Sequence, residues 1–195
     1  MERIVFVSNN EHKVKEVREK IGSDISIASL SDIGFSGDIP ETATNLEGNA
    51  EQKANYIYQR YHCDCFADDT GLEIDALDGK PGVYSARYAG DDCNSMRNIQ
   101  KVLAELQGKK NRKARFKTVI CLIFKGEKYF FEGIAEGEII NELKGNKSFG
   151  YDPVFVPLGF EKTFAELSSE TKNAISHRGK AVKKLLIFLL GKKDA

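Results

Sequence analysis

Two runs of residues, Ala114 to Phe124 and Lys128 to Ala135, alternate apolar and polar side chains on either side of Lys125-Gly126-Glu127. A period of two over that length marks strands, and so short a link between them predicts a hairpin of long antiparallel strands. The start of the chain has a different rhythm. A short apolar run from Arg3 to Val7 precedes Val14, Val17 and Ile21 at helical spacing, which reads as a buried strand feeding a helix. The two patterns together predict an α/β fold with both parallel and antiparallel strands.

Further elements follow the same logic. Leu46, Ala50, Ala54, Ile57, Tyr58 and Tyr61 recur at helical spacing, and Thr44 with Glu47 has the form of a capping box. A strand ending near Ala67 leads into Asp68-Asp69-Thr70-Gly71, then Leu72 to Ala76 and a turn at Gly79-Lys80-Pro81-Gly82. Met96, Ile99, Leu103 and Leu106 mark one face of a third helix, with Asp91 or Asp92 as its N-cap. Pro153 to Pro157 reads as a short strand. Ser176 is expected to cap a last helix bearing Ala181, Val182, Leu185, Leu186 and Leu189, with Gly191 as its stop. The tip from Lys125 to Lys128 and the tail Lys192-Lys193-Asp194-Ala195 read as solvated surface. With no repeats and no linker rich in Pro, Gly or Ser, a single domain over residues 1–195 is expected.

Lys plus Arg number 29 and Asp plus Glu number 29, so no overall field draws the protein to nucleic acid or membrane, and any anion site must be local. Met1-Glu2-Arg3 runs straight into the first strand without the pattern of a secretion signal. The apolar run Leu185 to Leu190 is far shorter than the roughly 20 residues that cross a bilayer. The expected location is the cytoplasm. Cys63, Cys65, Cys93 and Cys121 form no CxxC pair and read as ordinary thiols of a reducing compartment, with Cys63 and Cys65 on one face of a strand.

Four segments can carry chemistry. The turn Ser8-Asn9-Asn10-Glu11-His12-Lys13 sets a hydroxyl, amides, a Lys and backbone N–H groups at a helix N-terminus, which is either a polar turn or a phosphate site. Glu41 precedes a capped helix and Asp68-Asp69 follow a strand. Either the paired Asp residues form a turn, or one faces a cleft and works as base or Mg²⁺ ligand while the other caps a turn. Phe149-Gly150-Tyr151-Asp152 places two aromatic rings around a Gly, as core filler or as a wall for a nucleobase. Lys172 to Lys180 concentrates Lys172, His177, Arg178 and Lys180 near a helix N-terminus, where cations oppose the macrodipole. That stretch is a solvated basic face or a site for an anion or acceptor.

In order and spacing these segments resemble the inosine triphosphate pyrophosphatase family, the house-cleaning dITP/XTP pyrophosphatases, over nearly the whole chain. The resemblance is carried by Ala67-Asp68-Asp69-Thr70-Gly71-Leu72-Glu73, by Pro81 to Gly90, by Phe149-Gly150-Tyr151-Asp152-Pro153 and by Lys172 to Gly179. It implies an elongated mixed β-sheet with flanking helices, two lobes around a central nucleotide cleft, and a homodimer. The implied reaction cuts ITP, dITP or XTP to the monophosphate and pyrophosphate with Mg²⁺, at least one per subunit. Ser8, Asn10, Lys13 and Lys53 would hold the triphosphate, and Asn9, Glu11, His12, Thr70 and Gly150 would also bind substrate. Asp69 would serve as base and metal ligand with Glu41 beside it. Phe149, Tyr151, Asp152, Lys172, His177 and Arg178 would surround the base, with His177 and Arg178 as candidates to face a 6-oxo group.

Four positions depart from the family pattern: Ala43 where Gly is common, Gly48 where Glu is common, Thr70 where Ser is common and Ser148 where Gly is common. Gly48 removes a carboxylate beside Asn49 and shifts its expected duty to Glu41 or Glu47. Two other readings remain open at this point: a pyrophosphatase acting on other modified nucleotides, and a sensor that binds a nucleotide without cutting it.

Overall fold

In a computed structural model, which describes residues 3–21, 25–145 and 149–193, the first apolar run forms β1 (Arg3–Phe6) and leads into α1 (Glu11–Ile21). Ser148, Asp194 and Ala195 lie outside the described residues, as do the side chains of His12 and Lys193. The chain continues through β2 (Ser26–Ala28), α2 (Leu46–Tyr61), β3 (Cys65–Ile74) and β4 (Pro81–Gly82). It then forms α3 (Ser95–Glu105), β5 (Lys113–Phe124), β6 (Glu127–Ile139), β7 (Phe155–Pro157), α4 (Ser169–Ile175) and α5 (His177–Lys193).

Among the described residues the strands form one sheet in the order β2-β1-β3-β5-β6-β7, with β4 on β3. β1 pairs parallel with β2 and β3, while β3–β4 and β6–β7 are antiparallel, so the mixed sheet expected from the two periodicities is present. The hairpin closes through Lys125 and Gly126, both at positive φ (51° and 84°), which matches the twist of the strands they join.

By internal packing the chain falls into two compact units. One comprises residues 1–69, 118–133 and 178–195, and the other residues 70–117 and 134–177. In the first, strand alternation feeds two cores. Ile4, Phe6, Phe66, Ile120 and Leu122 meet Val14, Val17 and Ile21 of α1 and Ala181, Leu185 and Leu189 of α5. Their chain neighbours Val5, Cys65, Ala67, Cys121 and Ile123 meet Ala50, Ala54 and Ile57 of α2. Helices thus cover both sheet faces there, and each fully buried Leu or Ile contributes about 1.5–3 kcal/mol. Burial pushes the Cys121 thiol up to about 12, in keeping with an unreactive core cysteine. In the second unit Leu72, Ile74, Ile99, Val102, Leu106, Phe116, Phe155 and Phe164 form one core.

Several local expectations shift. β3 runs unbroken from Cys65 to Ile74, so Asp68 and Asp69 lie within a strand and neither forms a turn. Asn45, not Thr44, caps α2, accepting from the Gly48 N–H at 2.7 Å. Asn94 caps α3 by accepting from the Arg97 N–H at 3.0 Å, leaving Asp91 and Asp92 outside the helix. Met96 is 44% exposed, and Val102 takes the buried place beside Ile99. α5 continues past Gly191 to Lys193.

Candidate functional site

The β1–α1 turn is built by its own side chains. Ser8 Oγ accepts from the Asn10 N–H at 3.1 Å, and Asn10 Oδ1 accepts from the Lys13 N–H at 3.2 Å, which caps α1. Asn9 Nδ2 donates to the Gly37 carbonyl at 3.2 Å. Glu11 and His12 open the helix, and Lys13, one turn in, extends Nζ to Asp68 Oδ1 at 3.0 Å.

Asp68 is buried, and its other oxygen, Oδ2, accepts from Arg178 Nε at 3.2 Å. The Arg178 Nη1 donates to Glu16 of α1. Burial alone raises the Asp68 carboxyl, but Lys13, Arg178 and Lys53 outweigh it and hold it well below the usual range. Burial lowers the Lys13 ammonium, with Arg178 and Lys53 adding to the effect and Asp68 opposing it.

Asp69, next on the strand, points the opposite way, as alternation requires. Its Oδ2 accepts from Asn49 Nδ2 at 3.1 Å, and its Oδ1 stands 3.7 Å from Lys53 Nζ. That ammonium also donates to Glu41 Oε1 at 2.6 Å. Burial raises the Asp69 carboxyl and Glu41 adds to this, while Lys53, Lys13 and the Asn49 amide pull it back, for a net rise. Lys53 is lowered by burial but raised further by Asp69, Asp68 and Glu41. Thr70 follows on β3, half-buried.

Gly48 has a steric cause. A Cβ there would lie 2.7 Å from Cβ of Ala43, so the two departures from the family pattern fit each other, the methyl at 43 filling the place vacated at 48.

The aromatic segment and Lys172 lie in the second unit. Gly150 adopts φ 54°, a left-handed conformation that admits Gly freely, and carries the chain from Phe149 into the buried Tyr151 and Asp152. Tyr151 donates its hydroxyl to the Ser85 carbonyl at 2.8 Å, while Ser85 Oγ accepts from the Leu72 N–H at 2.8 Å. Asp152 Oδ2 accepts from Lys172 Nζ at 2.6 Å, and that ammonium lies 5.7 Å from the centre of the Phe149 ring. His177 stacks on Phe116 with ring centres 4.6 Å apart and planes 16° from parallel.

The structure therefore brings Ser8, Asn10, Lys13, Lys53, Glu41, Asp69 and Arg178 into linked polar groups of the first unit, and Phe149, Tyr151, Asp152, Lys172 and His177 into groups of the second. Sequence reasoning gave no part to Glu16, Asn49, Gln52 or Phe116. The one signal for Asn49 was its spacing of four from Lys53 on a helix, which puts both on one face.

A family model described as the Ham1 family matches residues 4–188. A dITP/XTP pyrophosphatase of Flavobacterium johnsoniae is 54% identical over 191 residues, covering 98% of this chain and 100% of that protein. One from Porphyromonas gingivalis is 51% identical over 191 residues, covering 97% and 98%. The solved Ham1 protein of Staphylococcus aureus superposes with a TM-score of 0.90 at 38% identity, covering 98% of this chain and 100% of that one. A HAM1 protein from Coxiella burnetii gives 0.91 at 37% identity, with the same coverage.

Proposed function

The chain belongs to the Ham1 family, and from that premise we propose that it hydrolyses the deaminated purine nucleotides ITP, dITP and XTP to monophosphate and pyrophosphate. The observation that carries the proposal is the Asp69 carboxylate, buried and held by Asn49 and Lys53 with Glu41 on the same ammonium. A carboxyl raised above its ordinary range is a better base near neutral pH than an exposed one.

Mg²⁺ fits this donor set. It takes one or two carboxylates and completes its octahedron with water and substrate phosphate oxygens, so Asp69 and Glu41 suffice. Among the described residues no group of three or more His, Cys, Asp or Glu forms a fuller protein cage. When bound, the ion neutralises phosphate charge and acidifies water. Asp69 takes the proton of the attacking water as its oxygen bonds to the α-phosphorus and the α–β bridge breaks. Lys13, Lys53 and the N–H groups of the first turn of α1 hold non-bridging oxygens, with Ser8, Asn9, Asn10, Glu11, His12 and Thr70 completing the phosphate end.

Phe149, Gly150, Tyr151, Asp152, Lys172 and His177 bind the base. Arg178, whose Nε and Nη1 meet Asp68 and Glu16, and His177 are the candidate donors to a 6-oxo group. An amino group at that position leaves such donors unmatched, which is the physical basis for rejecting ATP. In this reading residues 1–195 make up a single catalytic domain.

Two further parts of the reading are a homodimer and a cytoplasmic location. Leu158 and Phe160, exposed by 78% and 37% on one turn, are apolar surface a second copy would cover, which light scattering tests. The four cysteines are free, as in a reducing compartment, and no described helix is long and apolar enough to cross a membrane.

The deciding experiment measures pyrophosphate release from ITP, XTP, ATP, GTP and a pyrimidine triphosphate, with Mg²⁺ and with chelator. Metal-dependent release confined to ITP and XTP, lost in Asp69→Asn, supports the proposal. Tight binding without release makes the protein a sensor, and release from the pyrimidine instead makes it a pyrophosphatase of other nucleotides.

A further inference from the structure

We propose that Asn49 is a positioning residue of this site, joining the segment that carries Glu41 to Asp69 through the two ends of one side-chain amide. The inference rests on the reading of Asp69 and Glu41 as the working carboxylates. Asn49, Gln52 and Lys53 share one face of α2, and each holds one residue of the segment 41–43. Asn49 Oδ1 accepts from the Ala43 N–H at 2.9 Å, Gln52 Oε1 accepts from the Thr42 N–H at 2.9 Å, and Lys53 Nζ donates to Glu41 Oε1 at 2.6 Å. Gln52 Nε2 returns a bond to Thr42 Oγ1 at 3.0 Å. The segment therefore runs antiparallel to the helix, tied at three successive residues.

The far end of the Asn49 amide reaches Asp69 Oδ2 at 3.1 Å. Its orientation is fixed by chemistry. A backbone N–H only donates, so the amide oxygen must face Ala43, and the NH₂ group is left to donate to the carboxylate. Asn49 is 3% exposed, so water does not readily replace either bond. With Oδ2 engaged, the Asp69 carboxylate is turned so that Oδ1 faces Lys53. One amide thus sets the rotation of Asp69 and, through the bond to Ala43, the height of Glu41 along the helix.

Two variants separate this role from a merely structural one. Asn49→Asp keeps an acceptor for Ala43 but places a carboxylate oxygen against Asp69, whereas Asn49→Ala loses both bonds. In both, kcat for pyrophosphate release from ITP is expected to fall about tenfold or more, with KM changed by less than about threefold, since misplaced reacting groups cost turnover. Exchange of the Ala43 amide proton should quicken roughly threefold to tenfold in Asn49→Ala and stay near wild type in Asn49→Asp. Wild-type kcat in Asn49→Asp, or unchanged Ala43 exchange in Asn49→Ala, overturns the proposal. If the wild-type protein releases no pyrophosphate, the functional reading fails, and the link to Asp69 is then read by NMR. The Asn49 side-chain amide protons should move upfield in Asp69→Ala, and an unmoved resonance overturns the link.

Discussion

The ammonium of Lys53 stands 2.6 Å from Oε1 of Glu41 and is itself buried. The same nitrogen lies 3.7 Å from Asp69, so a single cation serves two carboxylates. Replacing Lys53 with Met keeps the stem and removes the charge. We expect kcat/KM for ITP to fall about 10²–10³-fold, the scale of losing one positioned electrostatic group. Steady-state kinetics on the folded variant checks this, and a loss below about threefold would remove Lys53 from the phosphate end.

The pH profile follows from the sign of two shifts. Lys53 is held above its ordinary value, so it stays charged through neutral pH and places no alkaline limb there. Asp69 is raised above the ordinary carboxyl value, chiefly by burial. In the protein without metal, NMR titration of the Asp69 side-chain carboxyl should therefore give a midpoint above that ordinary value. A midpoint at or below the ordinary carboxyl value would remove the reason to name Asp69 the base.

Asp68 behaves in the opposite sense. Its folded pKa is depressed below 3.8, so its stabilising contribution is complete at neutral pH and disappears as pH falls through that value toward the folded pKa. Asp68→Asn leaves Lys13 and Arg178 without their shared counter-charge, at a cost of about 3–5 kcal/mol. Chemical denaturation at a series of pH values should show the gap between variant and wild type narrowing only in acid.

Ala43 and Gly48 form a steric pair. Gly48→Ala places a methyl 2.7 Å from the methyl of Ala43, and overpacking of that kind costs about 1–3 kcal/mol. Adding Ala43→Gly should restore most of the loss. Urea midpoints of the two single variants and the double variant test it, and additive effects would show that the two sites do not meet.

How far the sequence reveals such features depends on where their partners come from. The hairpin of β5 and β6 was legible because alternation and a two-residue turn are local. The continuity of β3 was not, because two adjacent acids in a buried strand are tolerable only with Lys13 and Arg178 beside Asp68, 55 and 110 residues away along the chain. α4 escaped notice because none of its residues is buried, so it carries no apolar stripe. β2, at three residues, is shorter than any reliable period. Within the site, charged and aromatic residues declared themselves by type. Asn49 did not, since an amide's importance lies in which two groups it touches at once.

Arg178 stands at the head of α5 and completes the cluster of Glu16, Asp68 and Lys13, residues that leave the ribosome far earlier. While the chain is being made, Asp68 therefore waits for its second counter-charge until translation is nearly over. The core shared by β1, α1 and β3 also takes in Ala181, Leu185 and Leu189 of α5, so ion-pair cluster and core alike are finished only with the arrival of the last helix. A chain that stops before α5 would leave Glu16 without its arginine and Asp68 with Lys13 alone of the two cations that touch it.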